Sequence, residues 1–200
     1  MPNDYPSVTG SDHWIQKFRT IFRCYDINAD GYLTEEDFML STERATEYLG
    51  LDDRKAKHLL HQRLTFWEII PKSPEDPSKV TEKDFLRNIS SVVNEDSFRQ
   101  KYLLNILTVD FKTMDLDGDG FASEDQFAAF FYSLNVPIDK SREMFGMLDD
   151  DKDGFISMDE FAHVFMEYFF TEDPENAYNE LYGPLAEEVM LLTAKNKGKC

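Results

Sequence analysis

The stretch "DDDKDGFISMDE", residues 149–160, carries the pattern that decides the fold. It has acidic side chains at its first, third and fifth positions, glycine at the sixth and glutamate at the twelfth. "DINADGYLTEED" (26–37) and "DLDGDGFASEDQ" (115–126) repeat this arrangement, the second with glutamine at position 12. One such match can arise by chance, but three in a chain of 200 residues indicate an internal repeat.

The spacing of these polar residues matches the EF-hand calcium loop. Calcium takes six to eight oxygen ligands at about 2.3–2.6 Å, and side chains at positions 1, 3, 5 and 12 converge on one point. Position 7 contributes a backbone carbonyl, and position 9 often acts through water. We therefore expect these metal ligands: Asp26, Asn28, Asp30, Tyr32, Thr34 and Asp37; Asp115, Asp117, Asp119, Phe121, Ser123 and Gln126; and Asp149, Asp151, Asp153, Phe155, Ser157 and Glu160.

The segments around the loops are predicted to be helices. Apolar residues precede each loop at helical spacing, as in Trp14, Phe18 and Phe22 before the first. A phenylalanine follows each twelfth position. The chain is therefore predicted to be all-α, and these aromatic side chains are interpreted as core. Leu33, Ala122 and Ile156 fill position 8, where two neighbouring loops pair as a short antiparallel bridge, so these strands are expected to pair.

EF-hands come in pairs, so three loops require a fourth. "SPEDPSKVTEKD" (73–84) fits in a degraded form, with Val80 at position 8 and Asp84 at position 12. It has serine, glutamate and proline at positions 1, 3 and 5, and Ser78 replaces the turn glycine. We interpret it as a pairing partner that does not bind calcium. Four hands in two paired lobes are then expected to form one compact body.

Three regions are predicted along the chain. Residues 1–95 form an N-terminal pair whose second hand is degenerate, 96–170 form a C-terminal pair, and 171–200 form a tail that packs on the body. The junction "SSVVNED" (90–96) lacks the Pro, Gly or Ser enrichment of a flexible linker. Part of the tail, 186–200, has a short apolar helical pattern followed by lysines and ends in Cys200. A short helix covering apolar surface is expected there.

The three loops differ in their expected affinity. Loop 149–160 has four acids, including Glu160, which is long enough to bind through both oxygens, and should be the tightest site. In loop 26–37 the shorter Asp37 favours six-coordination, which Mg²⁺ also accepts. In loop 115–126 Gln126 offers one neutral oxygen, so we expect weaker binding there.

Composition excludes several classes of function. The net charge of −18 disfavours nucleic acid and anionic membrane surfaces as partners. No run of about 18 apolar residues predicts a membrane span, and the N-terminal stretch does not resemble a secretory signal. Two cysteines make a poor disulfide framework, so a cytoplasmic location is expected. No zinc spacing, phosphate-binding glycine loop or nucleophile elbow is present, so the chain is not expected to be an enzyme.

With these features the chain resembles the invertebrate sarcoplasmic calcium-binding proteins and the related calexcitins. The resemblance rests on four hands with the second degenerate, on Asp37 closing the first loop, and on the tail "EDPENAYNELYGPL" (172–185). It implies a compact, cytosolic, monomeric buffer of calcium and magnesium. Gln126 and the residues 186–200 depart from the family pattern, so their properties do not follow from it.

Two alternative functions stay open. One is a calexcitin-like calcium sensor that binds a protein target, since eight methionines are present and methionine-rich surfaces are typical of sensors. The other is a calcium-triggered photoprotein or luciferin-binding protein, which has a similar layout and a cavity lined by His, Trp and Tyr. His13, Trp14, Trp67 and His163 are candidates for such a lining, but packing or surface roles are the simpler interpretation.

Overall fold

The computed structural model describes residues 5–186 and is almost entirely helical within them. Two short antiparallel two-stranded sheets are the only strands in this part of the chain. In chain order the elements are α1 (Asp12–Tyr25), β1 (Tyr32–Leu33), α2 (Glu35–Leu49), α3 (Asp53–Ile69), β2 (Val80–Thr81), α4 (Glu82–Val92), a π-helical turn (Phe98–Tyr102), α5 (Leu103–Met114), β3 (Phe121–Ser123), α6 (Glu124–Ser133), α7 (Ile138–Leu148), β4 (Phe155–Ser157) and α8 (Met158–Phe170).

The strands join the loops in pairs, as the sequence predicted. β1 pairs with β2, with Leu33 opposite Val80. β3 pairs with β4, with Ala122 opposite Ile156. All four of these side chains are almost fully buried, so the bridges form part of the core as well as holding each pair of loops together. The all-α fold of four EF-hands in two pairs is therefore confirmed.

Helices of the two pairs also pack directly on each other, α2 against α6 and α3 against α5. No extended linker separates the pairs: α4 ends at Val92, and the π-helical turn begins at Phe98. The guanidinium of Arg99 in that turn donates to the carbonyl of Val93 (3.0 Å) and to Oδ1 of Asn94 (3.0 Å). These bonds fix the junction, and the π-helical turn itself has no counterpart in the sequence-based expectations.

Aromatic side chains fill the centre of the molecule. Trp14, Phe18, Phe127, Phe161 and Tyr168 are each at most 1% exposed. Burial of rings of this size contributes about 1.5–3 kcal/mol for each side chain, so the aromatic stripes of the sequence supply much of the driving force for folding. Trp67 is also buried, and the ring of His163 packs edge-on against Tyr178.

The part of the tail that the structure describes, 171–186, lies against the body. Tyr182 is buried between Phe131 and Tyr168, with ring centroids 5.5 and 5.4 Å away. Its carbonyl accepts a hydrogen bond from the buried thiol of Cys24 (3.3 Å). The remainder of the predicted tail, including Cys200, falls outside the described residues. None of the helices within 5–186 has the length and apolarity needed to cross a membrane.

Candidate metal centres

Loop 149–160 gathers three carboxylates around one point. Oxygen atoms of Asp149, Asp151 and Asp153 lie within 4.8 Å of one another. The loop holds them with its own amides: Asp149 accepts from the N–H of Asp153 (3.1 Å) and of Gly154 (3.2 Å). Gly154 has φ +87°, a left-handed conformation that suits glycine and turns the chain sharply. The sequence-based prediction of a turn glycine at position 6 is therefore consistent with this backbone.

Glu160 closes this loop from the first turn of α8. Its Oε1 accepts from the N–H of Asp150 (3.0 Å), and its Oε2 accepts from the N–H and the hydroxyl of Ser157 (both 2.8 Å). Burial raises the pKa of the Glu160 carboxyl, but the bonds from Ser157 outweigh burial and hold this pKa below its usual value. The side chain is thus ionised and fixed beside the three aspartates.

Loop 115–126 repeats this geometry with one difference. Oxygen atoms of Asp115, Asp117 and Asp119 lie within 4.8 Å of one another. The oxygen of Gln126 accepts from the N–H (2.8 Å) and hydroxyl (2.9 Å) of Ser123, as Glu160 does in its own loop. The Gln126 amide nitrogen, however, donates to Asp117 at 3.5 Å. An N–H donor therefore faces the ligand set where the other loops present an acceptor.

Loop 26–37 has two acids and one amide at positions 1, 3 and 5. Asp26 accepts from the N–H groups of Asp30 (3.1 Å) and Gly31 (3.0 Å), and Oδ1 of Asn28 also accepts from the Asp30 N–H (3.0 Å). Both oxygens of Asp37 are held, Oδ1 by the N–H of Ile27 (2.9 Å) and Oδ2 by the N–H of Thr34 (2.8 Å). The loop is ordered by bonds equivalent to those of the other two.

In loop 73–84 the carboxylate at position 12 is hydrogen-bonded to side chains of the protein. Asp84 accepts from the hydroxyls of Ser73 and Thr81 (the latter at 2.8 Å) and from the guanidinium of Arg87 at 2.6 Å. The hydroxyl bonds, from Ser73 first, lower the pKa of Asp84. Two hydroxyls and a guanidinium thus already satisfy the carboxylate at position 12, which accords with the expectation that this hand does not take calcium.

The hydroxyls at position 9 have a role that sequence reasoning missed. Thr34, Ser123 and Ser157 are the N-caps of α2, α6 and α8, and each forms a capping box with the residue at position 12. The signal was present, since Ser or Thr followed three residues later by Asp, Glu or Gln is the capping-box pattern. One side chain therefore both begins the exiting helix and orients the residue that closes the loop.

The donor sets fit a divalent cation. Hard oxygen ligands from carboxylates at this spacing suit Ca²⁺. Within residues 5–186, no lysine or arginine forms an ion pair with the carboxylates at positions 1, 3, 5 and 12 of hands one, three and four; Arg142 pairs instead with Glu124 and Asp125, at positions 10 and 11 of the third loop. Three carboxylates that converge in this way repel one another, and a bound divalent ion would remove that repulsion.

Comparisons with known proteins agree with this geometry. A family model for an EF-hand domain pair matches residues 105–166, and a second for an EF-hand domain pair matches 16–45. The sarcoplasmic calcium-binding protein of Hediste diversicolor is 25% identical over 126 residues, 63% of this chain and 72% of that protein. Its counterpart in Perinereis vancaurica tetradentata is 25% identical over 129 residues, 64% of this chain and 74% of that protein.

The chain is an EF-hand calcium-binding protein. It resembles the sarcoplasmic calcium-binding proteins, as the sequence predicted, and both of these relatives are calcium-binding proteins rather than enzymes. Among solved structures, the calcium-loaded apo form of the coelenterazine-binding protein of Renilla muelleri superposes with a TM-score of 0.78. It is 24% identical and covers 89% of this chain and all of that one, a likeness that supports the fold alone.

One further polar group in this EF-hand protein lies between the lobes, away from the loops. Tyr25 donates to Asp110 at 3.3 Å, and the guanidinium of Arg63 donates to Ser133 at 2.7 Å. All four residues are buried. Burial raises the pKa of Asp110 to about 7 and lowers that of Arg63 to about 10. These residues come from four different helices, so no sequence spacing indicated that they meet.

Proposed function

We propose that the protein is a cytoplasmic, monomeric buffer that binds up to three divalent ions in loops 26–37, 115–126 and 149–160. The observation that carries this proposal is the contrast between the loops. In loops 115–126 and 149–160 three carboxylates lie within 4.8 Å of one another, and in loop 26–37 backbone N–H groups hold Asp26 and Asp37. In loop 73–84, by contrast, the guanidinium of Arg87 donates to the carboxylate at position 12. Calcium is the principal ion, and Mg²⁺ competes at loop 26–37, where Asp37 closes the site.

The ligands in each loop are those expected from the sequence. In loop 149–160 they are Asp149, Asp151, Asp153 and Glu160, with the Phe155 carbonyl and a water beside Ser157. A bound ion neutralises the carboxylates of a loop that its own hydrogen bonds already hold in place. Pre-formed loops with rigid capping boxes support buffering, because an ion can bind without a large rearrangement of the helices.

Calorimetric calcium titration, with and without millimolar Mg²⁺, tests this proposal. We expect two or three sites in calcium alone and a weakened apparent affinity in magnesium for at least one of them. Glu160→Gln should abolish the tightest site. Asp159→Asn is the matched control, since it removes one charge from the same loop at position 11 without removing a ligand. Absence of calcium uptake up to millimolar concentration would contradict the proposal.

A calexcitin-like sensor is the main alternative. Sensors expose an apolar groove when calcium binds. Within 5–186 the large exposed apolar side chains include Phe121 and Phe155, which pack on each other with ring centroids 6.3 Å apart. A dye that fluoresces when it binds exposed apolar surface distinguishes the two functions. A large rise in its fluorescence on adding calcium would favour the sensor, and no rise would favour the buffer.

The photoprotein alternative is weakened by the positions of its candidate residues. An internal cavity exists, but none of His13, Trp14, Trp67 and His163 lines it. Light emission on adding calcium to protein charged with a luciferin would support that alternative, and darkness would leave the buffer as the proposed function.

A further inference from the structure

Two buried charged side chains face a small cavity between the pairs of hands, the interlobe gap. Arg63 of α3 and Asp110 of α5 both line this gap, whose volume is about 10 Å³. Only 4% of Arg63 and 3% of Asp110 are exposed. Each charge is near enough to shift the pKa of the other group, yet no direct ion pair joins them among the described residues.

The guanidinium of Arg63 has one nitrogen that the described part of the chain does not satisfy. Its Nη2 donates to the hydroxyl of Ser133 at 2.7 Å. Its Nη1 is enclosed by the protein and makes no hydrogen bond with residues 5–186. Leaving a buried, charged N–H group unpaired is costly. Nη1 therefore indicates an acceptor other than these residues.

The opposite side of the interlobe gap offers acceptors. Oδ1 of Asp110 accepts the Tyr25 hydroxyl at 3.3 Å, and no hydrogen bond from the described residues reaches Oδ2. Ser41 and Thr113 also line the gap. Their hydroxyls donate to the carbonyls of Phe38 (3.0 Å) and Asp110 (2.7 Å), which leaves the hydroxyl oxygens able to accept. A donor and several acceptors thus surround one small space.

We propose that one water molecule binds in the interlobe gap, accepts from Nη1 of Arg63 and donates to Oδ2 of Asp110. The volume of about 10 Å³ is close to the roughly 10–15 Å³ that one water needs, and buried waters typically have two to four polar partners. A bridging water is nearly as favourable in enthalpy as a direct hydrogen bond. Because α3 belongs to the first pair of hands and α5 to the second, the bridge is a buried link between the pairs. It lies outside the calcium loops, so the inference goes beyond the proposed buffering function.

A high-resolution crystal structure of the full-length, calcium-loaded protein tests the site directly. We expect one ordered water within about 3.2 Å of both Nη1 of Arg63 and Oδ2 of Asp110. An interlobe gap without electron density for a water would overturn the proposal. A direct ion pair between Arg63 and Asp110 that closes the gap would overturn it as well.

A double-mutant cycle tests the link in solution. Arg63→Met and Asp110→Leu each remove one side of the bridge and leave the other buried without it. Each should lower the melting temperature of the calcium-loaded protein by about 10 °C. The double variant should lose clearly less than the sum of the two single losses, because no unpaired charge of the bridge then remains buried. Single losses that simply add would overturn the link.

The cycle has a matched control and a second set of variants. Arg54→Met, at an exposed position in the first turn of α3, should shift the melting temperature by no more than about 2 °C. If a variant of the first set does not fold, Arg63→Lys and Asp110→Asn complete the cycle, since they retain a donor and an acceptor. None of these changes alters a calcium loop, so failure of the bridge and failure of the buffering function are distinguishable.

Discussion

The residue at position 12 is the main chemical difference among the three complete loops. Glu160, Asp37 and Gln126 occupy the same place in the capping box, each held by the hydroxyl of its N-cap residue. They differ in charge, in length, and in the N–H donor that Gln126 alone carries. Calcium affinity in such loops follows the number of charged ligands and the rigidity of the site. Since the capping box is common to all three, the charge and reach of this side chain should rank them.

Gln126→Glu is predicted to strengthen calcium binding in loop 115–126 by roughly ten-fold or more. The change adds a negative charge and replaces the N–H that faces Asp117 with a second acceptor oxygen. Calorimetric titration measures the effect. Gln100→Glu serves as the control. It adds the same charge in the π-helical turn, just before α5 begins and at the opposite end of that helix from loop 115–126. Equal third-site affinities in wild type and Gln126→Glu would show that position 12 does not limit this loop.

At the scale of elements, α1 and α8 are joined at their ends by side chains that cap them. Lys17 is fully buried, and its ammonium donates to the carbonyls of Tyr168 and Thr171 at 2.5 and 2.7 Å, at the end of α8. Glu172, just after α8, accepts from the N–H groups of Thr9 and Ser11, both at 2.8 Å. These bonds fix the entry to α1 against the exit from α8.

Glu172→Gln is predicted to destabilise the protein in a pH-dependent way. Burial raises the pKa of Glu172, but bonds from Ser11 and Thr9 outweigh it and lower the pKa to about 2. A lowered acid pKa stabilises the fold above its unfolded value of 4.5, and this contribution is lost as pH falls towards 2. The group is largely solvated, so we expect about 1 kcal/mol of lost unfolding free energy at pH 6.

Urea unfolding at pH 6 and at pH 3 measures this difference. The difference in unfolding free energy between wild type and Glu172→Gln should be smaller at pH 3 than at pH 6. Glu175→Gln, at an exposed position nearby, should have no effect at either pH. A difference in unfolding free energy that grows as the pH falls would refute the assigned role of the Glu172 carboxylate.

At the scale of the whole molecule, charge and packing oppose each other. The aromatic core favours the folded state, while a net charge of −18 and converging carboxylates work against it. Divalent ions bound in three loops would add six positive charges, offsetting a third of that net charge. Metal binding and folding should therefore be coupled.

Removal of calcium is predicted to lower the stability of the whole chain. For each site, a calcium concentration of about 1,000 times its Kd contributes about 4 kcal/mol. Thermal unfolding in excess calcium and in excess chelator should differ by well over 10 °C, as read by helical circular dichroism. Sodium chloride at matched ionic strength separates specific binding from screening. An unchanged melting temperature in chelator would contradict the coupling.

The sequence alone determined the fold class, the loop positions and the pairing of strands. These features are local, because one short loop must place all its oxygen ligands around a single ion. That requirement fixes oxygen-bearing residues at positions 1, 3, 5 and 12 and a glycine at position 6. The apolar side chain at position 8 must be buried, which favours pairing of each loop with its neighbour along the chain, as Leu33 and Val80 show. The assignment of individual ligands in each loop remains a prediction from the same local pattern.

Only the tertiary structure decided what the non-local groups do. Tyr25, Asp110 and Arg63 meet between the lobes although 85 residues separate the first two. The cavity arises because rings from four helices do not fill the space between them completely. How completely that space is filled depends on the relative positions of helices far apart in sequence, and sequence periodicity does not predict those positions. The geometry of a twelve-residue loop, by contrast, follows from the spacing of its own residues.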